Sequence, residues 1–204
     1  MLAGAALDAA LAALPTAQFD DVLCRAVTNA ALHDPSYSPN ALYCNGAPTS
    51  GARFTSIGGP PSIYFAEDKE TAWAEVHQPY LAVQRSNRNA AIEPPTVLYY
   101  ARVKLDRVLD VTDAAVQAAL GTNIGELAAP YLLFQAMKQL APTQILGEAV
   151  SRTGCAQAIR YLSVAGTTYL SPAKYCYVIF CGLVQPPNFV EIIDPSGALA
   201  KRIP

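Results

Sequence analysis

The chain has 204 residues, enough for one large domain and few for two. Hydrophobic residues make up 52% of it and charged residues only 15%, so we expect part of its surface to be covered by a partner or by a second copy. The formal net charge is −2 and no run of Lys or Arg occurs, which disfavours nucleic-acid binding because that function needs clustered positive charge.

The first 18 residues predict an amphipathic helix. Apolar residues recur at helical spacing up to Pro15, namely Leu2, Ala6, Leu7, Leu11 and Leu14. A secretory signal peptide would normally begin with positive charge, and this segment has none. No apolar stretch reaches the length of a membrane span. The sequence therefore predicts a cytoplasmic protein.

The cysteines are odd in number and widely spaced. There are five of them, at Cys24, Cys44, Cys155, Cys176 and Cys181. No pair has the spacing of a zinc site, and a chain of this length can build a core without disulfides. We therefore expect free, small, buried side chains in a reducing compartment.

The segment after the first helix combines a short strand with a long loop. Residues 21–27 predict a strand that carries Arg25. Residues 28–61 are rich in Pro, Gly, Ser and Asn and predict a largely irregular segment. Loops of this length usually have a function. Because Arg53 and Phe54 interrupt the polar composition, we expect an ordered, ligand-contacting stretch there.

The next segment predicts a strand followed by a helix. The strand covers residues 62–66, and Asp68 is a suitable N-cap for a helix that runs to about Gln78. Pro79 is expected to stop that helix. Residues 84–95 are polar and predict a surface excursion.

The second half of the chain alternates between strands and helices. The expected elements are a strand over 96–105 extended by 107–111, a helix capped by Thr112 that runs through Leu120 and is followed by Gly121, helices over 126–140 and 144–153, and strands over 158–164, 175–183 and 189–193. No internal repeat and no linker divides the chain. The prediction is one α+β domain over 19–204, preceded by the N-terminal helix over 1–18.

Three residue types stand at equal intervals in the first half of the chain. Arg53, Tyr64 and Glu75 are eleven residues apart within RFTSIGGPPSIYFAEDKETAWAEV, and LDRVLDVTDAAVQAALG and QILGEAVSRTGCAQAIRYLSV follow later. This order resembles the motifs of the RES family. Those motifs are an early strand Arg, G-R-W-N, a strand Tyr, a helix of the form xxALxE, a strand ending L-D-L-T, and G-I-x-x-P-S. The resemblance covers about residues 20–180.

The resemblance implies a chemistry as well as a fold. The fold would be similar to that of ADP-ribosyltransferases, with a mixed central sheet and flanking helices. The activity would break the nicotinamide–ribose bond of NAD⁺, with water or phosphate as the acceptor and with no metal. Nicotinamide leaves as a neutral molecule, so one carboxylate can suffice where most glycosidases use two. A fixed anion stabilises the oxocarbenium ion that develops on the ribose.

Carried over residue by residue, the resemblance assigns five residues. Glu75 would grip the ribose hydroxyls and face the oxocarbenium ion. Arg25 and Arg53 would bind the pyrophosphate, since guanidinium groups make bidentate contacts to phosphate. Tyr64 would stack on the nicotinamide ring. Ser163 would either hydrogen-bond the ribose or hold Glu75 in place.

The chain departs from the family motifs around two of these residues. Ala52, Phe54 and Thr55 stand where the G-R-W-N motif has Gly, Trp and Asn, and Leu162 stands where a Pro precedes the Ser. These departures motivate an alternative in which the chain binds NAD⁺ without turning it over. Transfer of ADP-ribose onto a protein is a further alternative, because the same site chemistry serves both reactions.

The resemblance also implies partners. The family pairs its enzymes with an antitoxin similar to an Xre-type helix-turn-helix protein, which would plug the active-site cleft. Low charge density and the resemblance together suggest a homodimer. Each candidate residue also has a structural explanation when taken singly, such as a surface ion pair or core packing. Asp110 and Asp113, which bracket Thr112, are better explained by helix capping than by metal binding.

Overall fold

The computed structural model describes residues 1–29, 40–86, 94–169, 173–197, 199 and 201–204. Seven strands lie within these residues: β1 (Ala17–Thr28), β2 (Ser62–Ala66), β3 (Thr96–Asp110), β4 (Ala158–Leu162), β5 (Tyr175–Phe180), β6 (Phe189–Ile193) and β7 (Arg202–Ile203). The helices are α1 (Gly4–Ala13), α2 (Gly46–Ser50), α3 (Lys69–Ser86), α4 (Ala114–Ala119), α5 (Ile124–Ala128), α6 (Tyr131–Ala136), α7 (Pro142–Thr153) and α8 (Val164–Tyr169), with a 3-10 turn at Cys181–Leu183.

The strands form one mixed sheet that curls back on itself. The order is β1-β2-β5-β4-β3-β6-β7, and β1 also pairs with β3, so the first five strands close into a ring. The β3–β4 pair is parallel, while the other pairs are antiparallel. β1 pairs with β3 over almost its full length, from Ala17 to Thr28. The chain is therefore a mixed α+β domain, as predicted.

Two hydrophobic cores follow from the alternation of side chains along the strands. The inner core lies inside the curled sheet and includes Leu23 and Phe65. The outer core lies between the sheet and the helices and includes Cys24, Ala66 and Leu146. Neighbouring strand residues thus belong to different cores. Each strand of the ring needs apolar residues on both faces, which accounts for the high hydrophobic content.

Helix α1 is packed into the outer core. Leu7 and Leu11 are buried there, and α1 lies against α7. Asp8 accepts hydrogen bonds from Arg152 of α7 at 2.6 and 2.9 Å. Because that ion pair is exposed at the surface, the apolar contacts account for most of the stabilisation. No helix in the described part of the chain combines the length and the hydrophobicity of a membrane span.

Prolines affect two helices differently from the prediction. The stop at Pro79 was wrong, since α3 continues to Ser86. A proline inside a helix removes one hydrogen bond, and that loss does not always end a helix held by tertiary contacts. The single helix over 126–140 was also wrong, because Pro130 separates α5 from α6 and acts as the N-cap of α6. The excursion over 84–95 lies mostly outside the described residues, as do residues 30–39 of the long loop.

Helix caps follow side-chain chemistry. Asp68 caps α3 as predicted, accepting a hydrogen bond of 2.7 Å from the Thr71 amide. Asp113, and not Thr112, caps α4, because its carboxylate accepts from the amides of Ala115 and Val116. Asp110 accepts from the Thr112 hydroxyl instead.

Cys44 and Cys181 form a disulfide that links the segment before α2 to the turn after β5. The expectation that all five cysteines are free is therefore wrong for this pair. Cys24, Cys155 and Cys176 are free. Disulfides are rare in reducing compartments. The prediction of a cytoplasmic protein thus loses the support of its cysteine pattern.

Gly147 of α7 packs directly against the backbone of Phe54. A Cβ atom at this position would lie 1.9 Å from the Phe54 carbonyl oxygen. We expect Gly147→Ala to lower the free energy of unfolding by about 1–3 kcal/mol, because overpacking forces the backbone to shift. Urea denaturation measures this change.

Gly182→Ala is the matched control, since a Cβ there meets no atom within 4 Å. Its unfolding free energy is expected to stay within about 1 kcal/mol of the wild type. Equal stability of the two variants would contradict the close contact at Gly147.

Candidate active site

The sheet opens into a cavity where β1 and β2 separate. In the described residues these strands share a single residue pair, Cys24 with Ala66. Beyond that pair the gap between the strands becomes a cavity of about 330 Å³, lined on its two sides by Arg25 and Tyr64 among others. This volume lies in the usual range for small-molecule pockets, roughly 300–1,000 Å³.

Peptide groups of both strands point into the gap. In β1 the Asn29 amide donates to the Pro95 carbonyl. Peptide groups alternate in direction along a strand, so those of the odd-numbered residues bond to β3 and those of Ala26 point towards β2. In β2 the Ser62 amide donates to the Cys44 carbonyl and not to β5. The peptide groups of Tyr64, two residues further on, have the same direction and therefore point towards β1. The gap thus offers backbone donors and acceptors from both sides.

The floor of the cavity is made of small side chains. Cys24 and Cys176 flank Ala66 on adjacent strands, and all three line the cavity. Burial raises the pKa of Cys24 to about 11. Burial also raises the pKa of Cys176, and the nearby Glu75 carboxylate adds to that shift. Both thiols therefore stay protonated at neutral pH. Because these side chains are small, the floor leaves room for a ligand.

Arg53 lies at the tip of a tight turn. The Ala52 amide donates to the Thr55 carbonyl at 2.7 Å, and the Thr55 amide donates back at 3.2 Å. Arg53 Nη1 donates to the carbonyl oxygens of Leu127 and Ala129 at 3.1 and 3.0 Å. The guanidinium group is thereby held beside the cavity before any ligand binds.

Neighbouring side chains fix the Arg53 turn from behind. Gln144 of α7 donates to the Ala52 carbonyl at 3.1 Å. Phe54 is fully buried in the outer core, with its ring centroid 4.8 Å from that of Tyr161. The aromatic at this position therefore packs the turn onto the core.

The Tyr64 hydroxyl is committed to the same turn. It accepts a hydrogen bond from the Phe54 amide at 3.0 Å and shares one of 2.9 Å with Thr55 Oγ1. Thr55 Oγ1 also bonds Ser62 Oγ at 2.6 Å. Burial raises the pKa of the Tyr64 hydroxyl. The hydroxyl is thus a protonated structural group, and the ring is what Tyr64 offers to a ligand.

Glu75 reaches the cavity from α3, and Ser163 holds its carboxylate. Ser163 Oγ donates to Glu75 Oε1 at 2.5 Å and accepts from the Gly166 amide at 2.8 Å. Ser163 is 0% exposed and is not among the residues that line the cavity. Of the two roles considered for Ser163, this geometry supports the positioning of Glu75.

Arg25 borders the cavity with an incompletely satisfied charge. Its Nη1 atom is buried and has no hydrogen-bond partner among the described residues. Its strand neighbours Leu23 and Val27 pack into the inner core. A buried N–H donor without a partner is costly, so an anionic ligand that accepts from Nη1 would lower that cost.

Four of the five predicted residues line the cavity, namely Arg25, Arg53, Tyr64 and Glu75. The fifth, Ser163, contacts the cavity through its hydrogen bond to Glu75. Among the described residues that line it, the charged side chains are Arg25, Arg53 and Glu75. Other residues that line the cavity were not predicted from the sequence, chiefly Tyr131, Leu132, Tyr161 and Cys176. Tyr131 follows Pro130, and a proline often precedes the start of a helix, so the sequence could have predicted that a helix begins at Tyr131. The described residues hold no cluster of three or more His, Cys, Asp or Glu suited to a metal ion.

Comparisons with known proteins agree with the motif pattern. A model of the RES domain matches residues 22–199. In three dimensions the chain is similar to a chain in the crystal structure of the M. tuberculosis MbcT–MbcA toxin–antitoxin complex. The TM-score is 0.60, with 16% identity, over 94% of this chain and 91% of that chain. At that identity the similarity shows the fold alone. No curated protein matches the sequence.

Thr55→Val tests the hydroxyl cluster behind Arg53. We expect it to lower the free energy of unfolding by about 2–4 kcal/mol, because Ser62 and Tyr64 each lose a buried hydrogen-bond partner. Thr55→Ser keeps the hydroxyl and should cost about 1 kcal/mol for the lost methyl group. Urea denaturation compares the two, and a valine variant as stable as the serine variant would contradict the cluster.

Proposed function

This chain belongs to the RES-domain family, and we propose that it is a toxin enzyme that cleaves the nicotinamide–ribose bond of NAD⁺. One observation carries the proposal: one acidic and two basic residues, Glu75, Arg25 and Arg53, line the same cavity. NAD⁺ presents the complementary charges, since its pyrophosphate is anionic and its ribose becomes cationic as the bond breaks. A fold of the ADP-ribosyltransferase type is part of the same proposal.

The proposed chemistry depends on a fixed negative charge. As the bond to nicotinamide breaks, the electron pair leaves with the ring and the ribose becomes an oxocarbenium ion. Glu75 stabilises that ion electrostatically, as a preorganised group that needs no rearrangement at the moment of reaction. Ser163 already occupies Oε1 of Glu75. We therefore assign the contact with the ribose to Oε2.

The other groups would bind and orient the substrate. Arg25 and Arg53 suit the pyrophosphate, and the unpartnered Nη1 of Arg25 offers a donor to it. The Tyr64 ring suits stacking on nicotinamide. The peptide groups of Ala26 and Tyr64 in the strand gap suit the carboxamide, which has one acceptor and two donors. Water or phosphate completes the reaction by adding to the ribose.

Incubation of the purified chain with NAD⁺ tests the activity directly. We expect free nicotinamide together with ADP-ribose, or with a phosphorylated ADP-ribose when phosphate is the acceptor, as measured by liquid chromatography and mass spectrometry. Glu75→Gln should lower kcat by about 100-fold or more, because it removes the charge and keeps the size.

Glu70→Gln is the matched control on the same helix. Glu70 lies in the first turn of α3 with its side chain 52% exposed, so its loss should leave turnover unchanged. Absence of nicotinamide from folded wild-type protein would overturn the proposal. A mass gain of one ADP-ribose on a protein would instead identify a protein as the acceptor.

We also propose an antitoxin partner, an Xre-like helix-turn-helix protein that plugs the cavity. The similar M. tuberculosis chain comes from a toxin–antitoxin complex. Around α6, beside the cavity, large apolar side chains are exposed: Leu132 and Leu133 at 60% each, and Met137 at 58%. Exposed apolar patches of this kind mark interaction sites.

Expression in bacteria tests the partner. The wild-type chain alone should deplete NAD⁺ and arrest growth, and co-expression of the proposed helix-turn-helix antitoxin should restore growth. Leu133→Asp should keep NAD⁺ turnover but escape this rescue, because a charge replaces an apolar contact. Growth curves and cellular NAD⁺ levels provide the measurement. Full rescue of Leu133→Asp would place the partner elsewhere.

A further inference from the structure

Tyr131 borders the same cavity as the charged residues Arg53 and Glu75. It begins α6, lines the cavity and is partly buried. The guanidinium carbon of Arg53 lies 5.6 Å from the centre of its ring. Burial raises the pKa of its hydroxyl, the Glu75 carboxylate adds to that shift, and the Arg53 guanidinium opposes it. Tyr131 therefore contributes a protonated hydroxyl to the cavity wall.

The position of Tyr131 does not depend on a ligand. Pro130 ends the preceding segment and directs the chain into α6. Arg53 fixes that segment by donating to Leu127 and Ala129. Gln135 of α6 donates to the Ser50 carbonyl at 3.1 Å on the other side of the Arg53 turn. Helix α6 is thus docked onto the turn by hydrogen bonds, and Tyr131 is held at the cavity wall.

We infer that Tyr131 is a substrate-contacting residue that binds NAD⁺ between its pyrophosphate and its nicotinamide ribose. This inference rests on the proposed function, in which Arg53 holds the pyrophosphate and Glu75 faces the ribose. The ring covers the ligand from the α6 side. The hydroxyl donates a hydrogen bond to an oxygen of the ribose or of the adjacent phosphate. None of the RES motifs found in the sequence includes this residue.

The contact predicts an effect on binding, and little effect on the bond-breaking step. An interaction made equally in the ground state and in the transition state raises KM when it is lost and leaves kcat unchanged. Tyr131→Phe removes one hydrogen bond, so we expect KM to rise about 2- to 10-fold. Tyr131→Ala also removes the ring, and KM should rise further, to at least about 10-fold, with kcat within threefold.

The decisive measurement is the Kd of NAD⁺ by calorimetry in a Glu75→Gln background, in which the ligand stays intact. Tyr131→Phe and Tyr131→Ala are compared with Tyr100→Phe and Tyr100→Ala. Tyr100 is a tyrosine of β3 that is 44% exposed and does not line the cavity. We expect weaker binding for both Tyr131 variants and unchanged binding for both Tyr100 variants. Melting temperatures show whether each variant is folded.

The outcomes separate the inference from the proposed function. If the Glu75→Gln parent binds NAD⁺ and the added Tyr131→Ala change alters the Kd by less than twofold, the inference is wrong and the proposed function stands. If the wild type releases no nicotinamide and the parent does not bind NAD⁺, both are wrong. If Tyr131→Ala fails to fold, Tyr131→Phe decides the question, since it keeps the ring packing and removes only the hydroxyl.

Discussion

The separation of β1 from β2 is the constraint on which the site depends. The ring of strands closes through the pair of Cys24 with Ala66, and the strands part immediately beyond it. A fully paired ring would fill this space with backbone hydrogen bonds and leave no cavity. Partial closure keeps the inner core sealed and opens a pocket lined by polar peptide groups and small side chains. The location of the site is therefore a property of strand pairing.

Uncharged groups hold the charged residues in place. Peptide carbonyls fix Arg53, a serine hydroxyl fixes Glu75, and the Tyr64 hydroxyl supports the turn that carries Arg53. Neutral partners position a charge without cancelling it, so the guanidinium and the carboxylate stay available to a ligand. A preorganised site of this kind suits electrostatic stabilisation, which loses effect when groups must first rearrange.

The departures from the family motif have structural explanations near Arg53. Phe54 places a buried aromatic at the Trp position, and Thr55 supplies a hydroxyl that joins Ser62 to Tyr64. Both replacements support the turn and keep Arg53 at the cavity. The change to Leu162 has no explanation in the contacts that we observe. The motif residues therefore divide into those that face a ligand and those that hold them.

The sequence by itself determined the local features: the bounds of β2 and β6, the cap at Asp68, and the residue types that recur at Arg53, Tyr64 and Glu75. These follow from short-range periodicity, capping chemistry and motif spacing. Only the tertiary structure decided that α3 passes Pro79, that Cys44 reaches Cys181, and that Tyr131 joins the cavity wall. Each of these depends on contacts between segments far apart in the chain, and local propensity carries no information about such contacts.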